Sequence, residues 1–310
     1  MQFISYEDAD SKLNWIETAD AIEAGHRLEK AQIGDLLLSK DDRSLLSRAA
    51  WIDGVGIALK SVTVCPDNGL RNPPLPSVQG AMLIFSSDDG SLKAIVDGPL
   101  VTKWKTAGDS VLGARILARP DAKSYLVVGA GTVAKSLFQA YRDVFPELDT
   151  FTVWNRSSAR AESLAKELES EGFNVNVADD LAVAASNADI ISSATLSKEP
   201  VLKGEWITPG THVDLIGAYR PDMREADDEL IKKASIFVDA RETTIGEIGE
   251  LIIPMSSGVI SEVDVLSDFR DLCNGGVGRQ SSDEITLFKN GGGAHLDLMT
   301  GIMIVEKMKI

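Results

Sequence analysis

The feature that most constrains the fold is a glycine-rich turn after a short apolar run near the middle of the chain. Tyr125 to Val128 has the composition of a buried strand, and Gly129, Gly131 and Ala134 follow as G-x-G-x-x-A before a helical segment. The first glycine allows a tight turn, the second lets backbone approach a pyrophosphate, and the small third residue keeps helix and strand packed together. With a further apolar run at Phe151 to Trp154, this pattern predicts a Rossmann dinucleotide site. The predicted contacts of the turn with the cofactor are Gly129, Gly131, Thr132 and Val133.

The segments on either side of this turn follow two different patterns. From residue 121 to about residue 239, short apolar runs alternate with helix-like segments. This alternation is typical of a parallel sheet with helices on both faces and a ligand site at the carboxyl ends of the strands. Between residues 35 and 97, short β-like runs separated by turn formers predict a mostly antiparallel sheet. Thr102 to Ala118 predicts a helix with one buried face, and another apolar helix follows the three glycines at 291–293.

We therefore predict an α/β protein of two domains, with boundaries where the pattern changes. Residues 121–289 are expected to form the Rossmann NAD(P)-binding domain, and residues 1–120 an N-terminal α+β domain. The C-terminal helix, within residues 290–310, is expected to complete the N-terminal domain by packing back onto it, or else to cross a subunit interface.

The composition excludes several classes of protein. A formal net charge of −16 over 310 residues disfavours a nucleic-acid or anionic membrane partner, because both require concentrated Lys and Arg. Two cysteines give neither a disulfide framework nor metal-ligand spacing, so we predict no metal. No run of about 18 apolar residues and no leader pattern occurs, which predicts a cytoplasmic protein. No G-x-S-x-G, H-E-x-x-H or P-loop motif supports a hydrolase or a nucleotide triphosphatase.

Several separated stretches, in order along nearly the whole chain, resemble the ornithine cyclodeaminase and mu-crystallin family. The stretches are ALKSVTVCPDN (58–68), SVQGAMLIFSSDDGSLKAIVDG (77–98), LVTKWKTAGDSVLGARILARPD (100–121), VVGAGTVA (127–134), VWNRS (153–157), SSATLSKEPVLKGEWITPGTHVDLIGAYRPDMREAD (192–227) and TLFKNGGGAHLD (286–297). The resemblance implies a homodimer whose N-terminal domain supplies the substrate site and the dimer contact. It also implies a nicotinamide cofactor and a small 2-amino or 2-imino acid as substrate.

The segment after the second strand of the Rossmann domain bears on which nicotinamide cofactor is bound. NAD-specific sites usually place Asp or Glu there to bond the ribose 2′-hydroxyl. This chain has Asn155, Arg156 and Ser157 instead, and a guanidinium beside a hydroxyl suits a phosphate, so we predict NADPH with NADH as the alternative. Arg156 could equally be a solvated cation at the start of a helix. The resemblance also places Ser193, Ala194 and Thr195 where the family's chain passes the cofactor.

A substrate carboxylate requires fixed cations, and the N-terminal domain offers three. Lys60 is a lone cation within an apolar, strand-like run, and the resemblance favours a ligand over an exposed strand residue. Lys105 stands where the family commonly has Arg, so it keeps the charge without the bidentate fork. The resemblance implies a further Arg that does not align here, and Arg48 on a neighbouring run could reach the same pocket or be an edge-strand cation.

The choice of reaction depends on three further positions. Ornithine cyclodeaminases carry a catalytic Asp where this chain has Tyr219, which disfavours cyclodeamination. Asp297 matches a C-terminal Asp of the family and could stabilise a cationic imine, although it could also be a structural acid. His295 could donate a proton or bind substrate, but a lone His is more often a packed side chain.

We therefore predict NADPH-dependent reduction of a cyclic ketimine carboxylate. The leading substrate is Δ1-pyrroline-2-carboxylate, reduced to L-proline, with Δ1-piperideine-2-carboxylate as a second one, and Lys60 and Asp297 are the predicted catalytic residues. The alternatives are an NAD-dependent ornithine cyclodeaminase or alanine dehydrogenase and, from another class, a non-catalytic NADPH-binding crystallin-like protein.

Overall fold

The computed structural model describes residues 1–309. In chain order, its first elements are β1 (Gln2–Ile4), α1 (Tyr6–Ala9), α2 (Trp15–His26), β2 (Gln32–Lys40), β3 (Arg43–Ile52), β4 (Gly56–Val64), β5 (Val78–Phe85), β6 (Leu92–Asp97) and α3 (Gly98–Leu117). The next are β7 (Ser124–Val128), α4 (Thr132–Val144), β8 (Thr150–Trp154), α5 (Ser158–Glu169), β9 (Val175–Val177), α6 (Leu181–Ser186), β10 (Ile190–Ser193) and β11 (His212–Leu215). The last are α7 (Asp228–Lys233), β12 (Ser235–Val238), α8 (Arg241–Thr244), α9 (Gly249–Ser256), β13 (Val265–Ser267), α10 (Phe269–Cys273), β14 (Thr286–Lys289) and α11 (Ala294–Lys307).

The chain folds into two units, each with its own sheet. Unit 1 comprises Met1–Thr106 and the segment that begins at Gly293, and unit 2 comprises Ala107–Gly292. We predicted boundaries after residues 120 and 289, so the first boundary falls 14 residues earlier. It lies inside the continuous helix α3, where unbroken helical periodicity gives the sequence no mark of a change. Helix α3 also begins four residues before the predicted Thr102, because Pro99 is tolerated in a first helical turn.

Unit 1 contains a six-stranded sheet in the order β1-β6-β5-β4-β3-β2. Only β1 and β6 pair in parallel, and the other pairs are antiparallel, as the turn-separated runs predicted. Along β4 the side chains alternate, so that Ala58 and Lys60 are buried while Leu59 and Ser61 are only partly buried. Helix α11 packs against β3, β4 and β5 and therefore completes this unit by packing back onto it, as predicted.

Unit 2 contains an eight-stranded sheet in the order β13-β12-β14-β11-β10-β7-β8-β9, in which every pair is parallel. Its core includes Leu126, Ile191 and Val213, which have no exposed surface, because helices cover a parallel sheet on both faces. Burying each such side chain stabilises the fold by about 1.5–3 kcal/mol. The predicted α/β class with a Rossmann domain is confirmed.

Several elements between residues 239 and 289 were not predicted. Helix α9 starts at Gly249 and contains Pro254, two residues that argue against a helix in sequence. Strand β13 has only three residues, and β14 ends in Lys289, a charged residue that argues against a buried strand. Strand β14 lies between β11 and β12, and β13 lies at the edge beside β12, so the sheet has two strands that the sequence did not indicate.

Candidate active site

The topology of unit 2 places a ligand site at the carboxyl ends of β7 and β10. The chain runs outward from β7 to β8 and β9 and then returns to β10 on the other side of β7. Loops leave these two neighbouring strands in opposite directions, and a crevice opens where they separate. The glycine turn follows β7 and Ala194 and Thr195 follow β10, so the structure brings both predicted cofactor segments to this crevice.

The glycine turn has the shape that a dinucleotide requires. Gly129 has φ +118°, and a Cβ there would lie 2.7 Å from the carbonyl oxygen of Ala194, so only glycine fits. A Cβ at Gly131 would meet no protein atom within 4 Å, which leaves open space for a pyrophosphate beside the start of α4. Thr132 and Val133 form the first turn of α4, and Ala134 is fully buried. The turn therefore fits a nicotinamide dinucleotide.

The segment after β8 presents unpaired positive charge. Asn155 donates a hydrogen bond to the carbonyl oxygen of Ser157 (3.0 Å), which fixes the turn before α5. Arg156 is exposed, as is Arg160 in the first turn of α5, and neither side chain has an ion pair or hydrogen bond within residues 1–309. A cleft of about 430 Å³ is lined by Gly131, Thr132 and Arg160, among others. The free guanidinium of Arg160 thus lines a cleft with the glycine turn, and Arg156 lies in the loop before the same helix.

The segment after β10 differs from its prediction at one residue. Ser193 is fully buried, and its hydroxyl donates to Glu225 (2.6 Å), which favours a supporting role over the direct cofactor contact that we predicted. Ala194 and Thr195 are partly exposed. The sequence did not indicate Glu225, because Arg224, Asp227, Asp228 and Glu229 lie beside it and nothing in this segment shows which carboxylate is buried.

In unit 1 the register of the sheet brings the predicted cations together. Arg48 is directly opposite Lys60 across β3 and β4, and opposite Asp35 across β2 and β3. Directly opposed residues share a face of the sheet, so all three side chains lie on one face. Arg48 donates to the Asp35 carboxylate (2.8 Å). Lys105, on α3, is buried, and its charge acts on Lys60. The three cations that we proposed for the substrate carboxylate therefore form one cluster.

Lys60 and Asp297 form a buried ion pair within this cluster. The Lys60 Nζ donates to Asp297 Oδ1 at 2.6 Å, and both side chains are at least nine-tenths buried. Burial lowers the pKa of the Lys60 ammonium, and Lys105 and Arg48 lower it further, while Asp297 opposes them. Asp297 Oδ2 is buried without a hydrogen-bond partner among residues 1–309. A carboxylate oxygen left in this state is costly, so it calls for a positively charged or proton-donating ligand.

His295 lies in the first turn of α11, two residues before Asp297. Its ring packs edge-on against the ring of His26, with centroids 5.4 Å apart. His26 is itself fixed by a contact between Nδ1 and the carbonyl oxygen of Ile22 (2.8 Å). The structure thus places His295 within unit 1 as a buried, packed ring, which fits the structural interpretation better than a free proton donor.

Tyr219 is exposed in the loop that follows β11. That position holds no carboxylate, so the acid that a cyclodeaminase uses there is missing. Among residues 1–309, no group of three or more His, Cys, Asp or Glu side chains is arranged to hold a metal ion. No helix within the same residues is both long and apolar enough to cross a bilayer.

Known proteins resemble this chain over almost its full length. Δ1-pyrroline-2-carboxylate reductase of Paracoccus denitrificans (strain Pd 1222) is 52% identical over 308 residues, covering 99% of this chain and 97% of that protein. The structure of Thermococcus litoralis Δ1-pyrroline-2-carboxylate reductase in complex with NADH and L-proline is similar with a TM-score of 0.91 and 28% identity, covering 99% and 97% of the two chains.

An archaeal alanine dehydrogenase dimer with bound NAD is similar with a TM-score of 0.90 and 29% identity, covering 98% of this chain and 95% of the other. Residues 12–310 match the sequence profile of the ornithine cyclodeaminase/mu-crystallin family. Because this match and the Paracoccus relative each span nearly the whole chain, the chain belongs to the ornithine cyclodeaminase/mu-crystallin family, as its sequence stretches predicted.

Proposed function

We propose that this protein reduces Δ1-pyrroline-2-carboxylate to L-proline and prefers NADPH to NADH. The observation that carries the proposal is the buried Lys60–Asp297 pair within a cluster that also holds Arg48 and Lys105. The 52% identical reductase independently supports the broader statement that the chain is an NAD(P)H-dependent oxidoreductase that acts on C=N bonds.

The cluster in unit 1 matches the charges of the substrate. A planar imine acid carries a carboxylate, which Lys60, Lys105 and Arg48 would bind, and an imine carbon that accepts hydride best when the ring nitrogen is protonated. Asp297 would place the unpartnered Oδ2 against that iminium nitrogen. A bound nicotinamide nucleotide supplies hydride to the imine carbon. Overall, the imine, NADPH and one proton give L-proline and NADP⁺.

The same arrangement favours imine reduction over cyclodeamination. Cyclodeamination of ornithine requires a group that binds the second amine, and the position that supplies it in ornithine cyclodeaminases holds the exposed Tyr219. Alanine dehydrogenase stays the second candidate, because an archaeal alanine dehydrogenase is similar over nearly the whole chain. The six-membered Δ1-piperideine-2-carboxylate carries the same charges as the five-membered imine, so we propose it as a second substrate.

A substrate panel tests this proposal. Purified full-length protein should consume NADPH when Δ1-pyrroline-2-carboxylate is added, and L-proline should accumulate in equal amount. Turnover of pyruvate with ammonia but not of the imine would assign an alanine dehydrogenase instead. Ammonia release from ornithine in the presence of NAD would assign a cyclodeaminase, and nucleotide binding without any turnover would assign a non-catalytic binder.

The preference for NADPH is supported by the charges after β8. The turn carries Arg156, the first turn of α5 carries Arg160, and both are exposed and unpaired within the described residues. No carboxylate occupies positions 154–157 to bond a ribose 2′-hydroxyl. NADH remains the competing cofactor, because the Thermococcus litoralis relative was solved with NADH.

Arg156→Asp should shift the ratio of kcat/KM for NADPH to that for NADH by about 10- to 100-fold toward NADH, since a charge-assisted bond to phosphate would be replaced by repulsion. The ratio is measured from initial rates with each cofactor at saturating imine. Lys166→Asp is the matched control, because it makes the same change of charge in the last turn of α5. An unchanged ratio in Arg156→Asp would mean that other residues read the 2′-phosphate.

We also propose that the protein is a homodimer. Strand β2 forms one edge of the six-stranded sheet, and all nine of its residues are exposed. They include three consecutive leucines, Leu36, Leu37 and Leu38, whose apolar surface a second copy would cover. The archaeal alanine dehydrogenase is a dimer. Light scattering of the 33.3 kDa chain should give about twice that mass, and a monomer mass would refute the proposal.

A further inference from the structure

Glu225 is a buried carboxylate that bonds two loops at the carboxyl ends of β10 and β11. Its side chain has no exposed surface. Oε1 accepts hydrogen bonds from the Ser193 hydroxyl (2.6 Å) and from the backbone N–H (2.7 Å) and hydroxyl (2.8 Å) of Thr195. Oε2 accepts from the backbone N–H groups of Gly217 and Ala218. A single side chain therefore bonds the residues that follow both strands.

The loops that Glu225 bonds are in direct contact with one another and with the glycine turn. A Cβ at Gly217 would lie 1.8 Å from the carbonyl oxygen of Thr195, and a Cβ at Gly129 would lie 2.7 Å from that of Ala194. The segment after β10 therefore contacts both the glycine turn after β7 and the loop after β11. Because they pack this closely, a shift of the β10 loop would also move its contact with the turn at Gly129.

A buried charge is not the most stable way to fill this space, since well-packed apolar groups often do better. The loops, however, have left the sheet, and their N–H groups need acceptors that a continued strand would otherwise provide. If the two strands continued instead, the crevice between their loops would be closed. The Glu225 carboxylate accepts from these N–H groups in place of a neighbouring strand.

The surrounding groups balance the charge of Glu225. Lys289 is fully buried, and its Nζ donates to the carbonyl oxygens of Leu215 (2.8 Å) and Asn290 (2.7 Å). Its pKa is lowered by burial, while the charges of Glu225 and Glu250 oppose that change. Burial and the neighbouring Glu225 raise the pKa of Glu250 to about 7. Glu250 in turn accepts from the backbone N–H groups of Glu225 (2.8 Å) and Ala226 (2.9 Å), so the segment that carries Glu225 is itself held.

We infer that Glu225 is a positioning residue for the nicotinamide nucleotide: it fixes the β10 and β11 loops in the shape that receives the cofactor. This inference rests on the proposed function only in requiring that unit 2 bind such a nucleotide. Glu225 makes no contact with the substrate in this role and acts through Thr195 and Gly217.

Glu225→Gln tests the inference by keeping the shape and removing the charge. In either orientation the amide NH₂ faces donors of one loop, so that loop loses its acceptor. The Kd for NADPH, measured by fluorescence titration without substrate, should rise about 10- to 100-fold. Asp227→Asn is the matched control, since its carboxylate accepts from the N–H groups of Gly204 (2.9 Å) and Leu230 (2.8 Å), outside these loops. Because the Oδ1 of asparagine can accept the same two bonds, this substitution should leave Kd unchanged.

Thr195→Val provides a second test that does not depend on the folding of Glu225→Gln, because it removes one donor to the carboxylate and keeps the side-chain shape. Kd should rise about 3- to 10-fold, and adding Glu225→Gln should cause less further loss than it does alone, because the two groups act through one bond. Wild-type protein that binds neither NADPH nor NADH would refute the proposed function. Wild-type binding with an unchanged Kd in Thr195→Val or in folded Glu225→Gln would refute this inference alone.

Discussion

Replacing Lys60 with methionine should lower kcat/KM for Δ1-pyrroline-2-carboxylate by about 10³-fold, which corresponds to about 4 kcal/mol of transition-state stabilisation. Methionine has nearly the length of lysine but no charge, and Lys60 is buried among the cations that we assign to the substrate carboxylate. We assign Lys60 to the substrate carboxylate and the glycine turn to the nucleotide. The Kd for NADPH should therefore stay within about twofold of wild type.

The stability of the Lys60 variant needs separate control, because removing one partner of a buried ion pair costs about 3–5 kcal/mol. The loss arises from leaving Asp297 buried with no counter-charge 2.6 Å away. Combining Lys60→Met with Asp297→Asn should therefore recover much of the melting temperature but none of the activity. Recovery of both would show that Lys60 serves only the fold.

Lys103→Met is the matched substitution for Lys60→Met. Lys103 also lies in unit 1 and is also ion-paired, with Asp10 at 2.7 Å. It is two residues from Lys105 on α3 but contacts the rings of Tyr6 and Trp104 instead of the cluster. Activity in Lys103→Met should change by less than about threefold. A large loss of NADPH affinity in Lys60→Met would place this lysine with the cofactor instead of the substrate.

The residues that could be predicted from the sequence are those that differ in chemistry from their neighbours along the chain. Lys60 is a lone cation in an apolar run, and the glycines of the turn lie between a strand and a helix, so both patterns stand out. Glu225 does not stand out, because Arg224, Asp227 and Asp228 surround it in sequence, and only the fold determines which of these charges is buried.

Sequence patterns also do not show which residues face one another across paired strands. That Arg48 faces Lys60 follows from the register of β3 and β4, and a shift of one residue would turn Arg48 to the other face. Strand β14, which was not predicted, shows a related limit. It ends in Lys289, and a lysine argues against a buried strand in sequence, although β14 lies inside the sheet and Lys289 is fully buried.

The second large effect is expected for Asp297→Asn, which should lower kcat by about 10²- to 10³-fold with a smaller change in KM for the imine. Asparagine keeps the size of aspartate in the first turn of α11 and one oxygen that can accept from Lys60. It cannot supply the negative charge that would stabilise an iminium nitrogen. The cations that bind the carboxylate stay in place, so ground-state binding should be largely retained.

The pH dependence distinguishes this role from a structural one. Asp297 raises the pKa of the Lys60 ammonium, both through its charge and through its hydrogen bond, against the lowering by burial. Removing the charge therefore lowers the pKa of Lys60, and the ammonium loses its proton at a lower pH than in wild type. The alkaline limb of the pH profile of kcat/KM should move toward lower pH in Asp297→Asn. Asp10→Asn, which weakens the contacts of Asp10 with Lys103 and Trp104 and leaves the Lys60–Asp297 pair in place, should leave the limb unmoved. A profile for Asp297→Asn that falls in height without moving its alkaline limb would separate Asp297 from the titration of Lys60 and contradict the proposed pair.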